Sequence, residues 1–69
     1  MNEQKNSMEI TGKLLLPLTV GESAFIMEAG GTRRTSMVLN VEDISQTEVQ
    51  FETRNTIYYL HLIPQEVAL

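Results

Sequence analysis

Apolar and polar residues alternate with a period of two along most of this chain, and turn-forming residues interrupt the alternation about every ten positions. That layout predicts a small all-β domain. A first strand over Met8 to Leu16 places Ile10, Leu14 and Leu16 on one face and stops at Pro17, which cannot donate to a central ladder. A bend, PLTVGES, leads to a short strand from Ala24 to Ala29. Gly30-Gly31 then supplies a tight turn into a long strand from Thr32 to Asp43. Ser45 to Thr47 turns the chain into Glu48 to Thr53, and Arg54-Asn55 turns it again into a last strand from Thr56. No segment reads as an amphipathic helix; the best window, Val41 to Thr47, is short and uncapped.

Hairpin parity assigns the faces, because residues paired across an antiparallel ladder share a side. Ala24 and Ile26 are expected inward with Thr35, Met37, Leu39 and Val41. Phe25, Met27, Arg34, Ser36, Val38, Asn40 and Glu42 are expected outward, and Arg33 is expected to pair with Glu28. In the next hairpin Val49, Phe51 and Thr53 face inward, and pairing Thr53 with Thr56 sends Tyr58, Leu60 and Leu62 inward too. Ile57, Tyr59, His61 and Ile63 are left outside. Five strands in meander order predict an SH3-like or partly open barrel, which would protect the sheet edges. The domain is expected over residues 8–64, with a disordered leader at 1–7 and a loose tail at 65–69. A five-stranded open sheet that completes itself by dimerising is the second architecture to consider.

Composition narrows the chemistry. The 69 residues contain no cysteine, so neither a disulfide framework nor thiolate catalysis is available, in keeping with a reducing, cytoplasmic setting. The start of the chain lacks the basic-then-apolar layout of a signal peptide, and the longest apolar run, Leu14 to Leu16, cannot cross a bilayer. A net charge of -4 disfavours general nucleic-acid binding. His61 is the single histidine, and no spacing supports a nucleophile-base pair, so no enzyme activity and no metal or cofactor is expected. GGTRRTS, Gly30 to Ser36, holds two of the three arginines and matches a basophilic kinase consensus at Ser36. Its glycines are sufficiently explained by the turn. The Walker phosphate loop needs a longer glycine frame that ends in lysine.

The outward apolar residues are the main functional signal. Phe25, Met27, Ile57, Tyr59 and Ile63, rimmed by Arg34 and Arg54, have the makings of a protein-protein patch. The segment from Arg33 to Leu62 carries Arg34-Thr35-Ser36, Phe51-Glu52-Thr53, Asn55-Thr56, Tyr58 and Leu60, preceded by Val20, Gly21, Glu22 and Ala24. In these positions the chain resembles small uncharacterised proteins carried on conjugative and other mobile elements of gut bacteria. The resemblance covers about residues 18–64 and implies no activity. A binding or self-associating module using Phe25, Met27, Arg34, Arg54, Ile57 and Tyr59 is therefore the leading expectation. Two alternatives stay open: a nucleic-acid accessory protein using Arg33, Arg34, Arg54, Tyr58 and Tyr59, and an acidic inhibitor of a nucleic-acid enzyme using Glu42, Asp43, Glu48 and Glu52.

Overall fold

The computed structural model describes residues 5–63. They form six strands: β1 (Asn6–Leu14), β2 (Ser23–Glu28), β3 (Gly31–Met37), β4 (Asn40–Asp43), β5 (Glu48–Glu52) and β6 (Thr56–Leu62). These make one sheet in the order β3-β2-β1-β6-β5-β4. Neighbours are antiparallel except β1 and β6, which run parallel from Asn6↔Thr56 to Gly12↔Leu62. The all-β class is as expected. The five-stranded SH3-like barrel is not: the strand expected over Thr32 to Asp43 divides at Val38-Leu39. No helix among the described residues is long and apolar enough to cross a membrane.

The division starts at a bulge. Phe25 faces Arg34 while Ser23 faces Met37, so β3 spends one residue more than β2 over the same distance. The Ala24 N–H donates to Thr35 Oγ1 at 3.0 Å, and Thr35 Oγ1 donates to the Ser36 carbonyl at 2.7 Å. A buried hydroxyl thus stands in for a ladder partner. The extra residue shifts the alternation by one, so Met37, Val38 and Leu39 change sides, and the expected faces return at Asn40, Val41 and Glu42. Val38, expected outside, is fully buried, whereas Met37 and Leu39, expected inside, are 54% and 49% exposed.

A second constraint follows from the strand order. β3 and β4 are the two ends of the sheet, yet only Val38 and Leu39 lie between them. The end strands of a flat six-stranded sheet stand about 24 Å apart, at roughly 4.8 Å per gap. Three Cα steps, Met37 to Asn40, reach at most about 11 Å. The sheet must therefore curl far enough to bring the start of β4 within that reach of the end of β3. At the junction Val38 N–H donates to Glu22 O (2.9 Å), Gly21 N–H to Val38 O (2.8 Å) and Leu39 N–H to Glu52 O (2.8 Å). The chain bends here without reversing. Four reversals among six strands, where a plain meander has five, leave β1 and β6 parallel.

The roll encloses Ile10, Ala24, Ile26, Val38, Val49, Phe51 and Leu60, with Leu14, Leu18, Val41, Tyr58 and Leu62 packed against them. Phe51 and Tyr58 stack with ring centroids 4.8 Å apart. The hairpin of β5 and β6 follows the parity expectation throughout: Val49, Phe51 and Thr53 are buried, and Thr53 N–H closes the turn onto Thr56 O at 2.9 Å. Other boundaries differ. β1 starts at Asn6, inside the expected leader, and ends at Leu14, so Leu16 is exposed rather than on the core face. The first hairpin turns on Ala29-Gly30 because Glu28 pairs with Gly31, which takes the positive φ of 139°. The pairing slips by two residues, so the faces are unchanged. Met1 to Gln4, Pro64 and the expected tail lie outside the described residues.

Gly12 lies hard against the backbone of β2. A Cβ there would overlap the Met27 carbonyl oxygen and lie 2.9 Å from Ile26 Cγ2. Backbone cannot give way as a flexible side chain can, so Gly12→Ala is expected to cost about 1–3 kcal/mol in urea denaturation, an overpacking penalty. Thr35→Val keeps the shape but leaves the Ala24 N–H unpaired. We expect a loss of about 1–3 kcal/mol by the same measurement, with Thr35→Ser retaining most of the stability.

Candidate functional site

The bulge and the roll decide which outward side chains meet. On the outer face of β2, Phe25 lies opposite Arg34 of β3, whose guanidinium carbon is 5.9 Å from the ring centroid. This is a cation-π arrangement. On the other side of Phe25, Leu15 N–H donates to the Phe25 carbonyl at 2.9 Å. Met27 sits two residues along, between Lys13 of β1 and Thr32 of β3. Met37, turned outward by the bulge, pairs with Ser23 at the far end of the patch. Leu15, Met27 and Met37 are all exposed. The register thus assembles an apolar patch with two cations, Lys13 and Arg34, and no carboxylate within it. Arg34 forms no ion pair among the described residues.

A different surface forms around β6. Ile57 lies between Ser7 and Glu52, Tyr59 between Glu9 and Gln50, and His61 between Thr11 and Glu48. Ile57 and Tyr59 are half-buried. His61 Nε2 is 3.0 Å from Glu9 Oε1 and its Nδ1 3.7 Å from Glu48 Oε1. Lys5 Nζ donates to Glu52 Oε2 at 2.8 Å and to Thr53 O at 3.0 Å. Glu42 of β4 faces Gln50. This surface is aromatic and acidic.

The six residues expected to make one patch therefore divide. Phe25, Met27 and Arg34 come together; Ile57 and Tyr59 lie across β1, with Arg54 in the β5–β6 turn near Ile57. Along β1, the position beside Met27 is Lys13 and the position beside Tyr59 is Glu9, about 13 Å apart at the usual strand rise. Leu15 and Met37 belong to the first patch and were not expected there. For Met37 the signal was Thr35-Ser36, since hydroxyl side chains that can bond their own backbone are the residues a bulge recruits.

The alternative sets fare unevenly. Arg33 turns toward the core side, where Glu28 grips it through Nε–Oε2 and through Nη2–Oε1 at 3.3 Å. That hydrogen bond raises the guanidinium above its ordinary pKa, against a smaller opposite push from burial. Tyr58 is stacked on Phe51. Arg33, Arg34, Arg54, Tyr58 and Tyr59 hence share no face. Glu42, Glu48 and Glu52 do share the outer face of β4 and β5, while Asp43 has the other parity. Ser36 is exposed beside the bulge. Among the described residues no group of three His, Cys, Asp or Glu side chains is placed to hold a metal ion.

Comparison with known proteins yields no match to a family model, a curated protein or a solved structure.

The two adjacent arginines should behave differently. A double-mutant cycle of Glu28→Ala and Arg33→Ala is expected to give a coupling of about 0–1 kcal/mol, as for other solvent-accessible ion pairs. Arg34→Ala should change unfolding stability by less than about 0.5 kcal/mol, the scale of ordinary surface substitutions.

Proposed function

We propose that the chain is a non-enzymatic protein-binding module whose contact surface is the outer face of β2 and β3. The observation that carries this reading is Arg34 set over Phe25 at 5.9 Å and flanked by exposed Leu15, Met27 and Met37. Aromatic residues, methionine and arginine are enriched in protein interfaces, and large apolar side chains grouped on a surface mark them more reliably than scattered ones. Arginine is also enriched among the residues that dominate binding energy at interfaces. The resemblance to mobile-element proteins and the lack of cysteine favour a partner in the bacterial cytoplasm.

An acidic inhibitor is the second reading, supported by the shared face of Glu42, Glu48 and Glu52. The arginine-tyrosine nucleic-acid reading draws less support, because its residues are dispersed and Arg33 is already engaged by Glu28.

Photo-crosslinking in the native host separates these readings. A benzophenone side chain at Met27 should yield a discrete protein adduct, and one at Gln46, in the β4–β5 turn, should not. Adding Arg34→Glu should lower the Met27 adduct yield roughly tenfold, the scale of a misplaced interface charge. An adduct formed from Glu42 but not from Met27 would transfer the function to the acidic face.

A further inference from the structure

We infer that the occupant of the β2–β3 face is the β1–β6–β5 face of a second copy of this chain, docked head to tail. The inference rests on the binding reading above and adds the identity of the partner. What carries it is a match in layout. On β2, Phe25 and Met27 are two residues apart; Arg34 lies directly opposite the first on one side, and Lys13 directly opposite the second on the other. On β6, Ile57 and Tyr59 are two residues apart; Glu52 lies directly opposite the first on one side, and Glu9 directly opposite the second on the other.

Each surface is thus a pair of apolar side chains on a central strand, bracketed diagonally by two charges. The brackets have equal span. Lys13 to Arg34 and Glu9 to Glu52 each cross two strand gaps and two residues of rise, about 12 Å between Cα atoms. Their signs are opposite. Laid face to face with the central strands crossing obliquely, Phe25 and Met27 cover Ile57 and Tyr59 while both cations meet carboxylates. Glu9 and Glu52 already touch His61 and Lys5, at 3.0 and 2.8 Å. Those contacts are solvent-accessible and weak, and can be exchanged for contacts with the second copy.

The two surfaces lie on the outer face of the sheet on either side of β1, and neither is complementary to itself. Docked head to tail, each copy uses one surface per contact and leaves the other free, so growth does not stop at two copies. Charge complementarity of this kind also discriminates against like-charged alternatives, in a chain whose net charge of -4 would otherwise oppose self-association.

The test is sedimentation equilibrium over a wide concentration range with the full chain, Arg34→Glu, Tyr59→Glu, and an equimolar mixture of the two variants. The wild type should gain weight-average mass beyond a dimer. Each variant alone should stay monomeric, with self-affinity weakened at least roughly tenfold. The mixture should form a one-to-one complex and grow no further, because each partner contributes its one intact surface and both altered surfaces carry added negative charge. Amide spectra check folding, and Ile57→Glu replaces Tyr59→Glu if that variant loses dispersion.

A mixture that stays apart, or a wild type that stops at a dimer, overturns the head-to-tail contact. A monomeric wild type whose Met27 crosslinks to a protein of different mass overturns the identity of the occupant and leaves the binding surface standing. A monomeric wild type with no Met27 adduct removes both.

Discussion

Two residues between the end strands of a six-stranded sheet set the terms for everything else in this molecule. Val38 and Leu39 have to bridge a gap that a flat sheet would hold far too wide, so the sheet rolls, and its inner face becomes an enclosed core. Val38 is at once the tether and part of what the roll encloses, with both its backbone groups bonded to the segment before β2. The Thr35 hydroxyl makes this geometry affordable at the preceding bulge, where it serves an amide that would otherwise face the core unpaired. Small domains have little stability in reserve, so a few such contacts carry a large share of the fold.

How much could be read beforehand depended on whether local pattern or closure decided the outcome. β5 and β6 were legible down to single side chains, because a short turn at Arg54-Asn55 fixes the register and strict alternation does the rest. The ion pair of Arg33 with Glu28 was legible too, although it is diagonal and not direct: the turn falls elsewhere, but a slip of two residues keeps both on one face. Met37, Val38 and Leu39 were not, since one inserted residue reverses their sides and the pattern of apolar letters there, M-V-L, is apolar in either phase. The sixth strand and the parallel partnership of β1 with β6 were also hidden, being products of a bend without reversal rather than of any local signal.

The functional surface was half legible on the same grounds. Parity correctly identified Phe25, Met27, Arg34, Ile57 and Tyr59 as outward. It could not tell that β1 runs between two groups of them, because adjacency across a sheet belongs to strand order and not to alternation. The correction is chemically informative. The two arginines expected to rim one patch part company: Arg34 stays beside Phe25 with Lys13 next along, whereas Arg54 lies in the turn near Ile57, on the side where Glu9, Glu48 and Glu52 line β6. An overall acidic chain can thus carry a locally cationic face, a distinction that net charge conceals.

The parallel partnership of β1 and β6 also governs how this domain sits within whatever polypeptide surrounds it. Antiparallel terminal strands would let the chain enter and leave at one pole, as a pendant on a stalk. Here Asn6 adjoins Thr56 at one pole and Leu62 adjoins Gly12 at the other, about 20 Å away along the strands. Anything joined at the two ends is held apart in line, and a pull between them loads β1 against β6 in shear, across their whole ladder at once, instead of peeling it bond by bond.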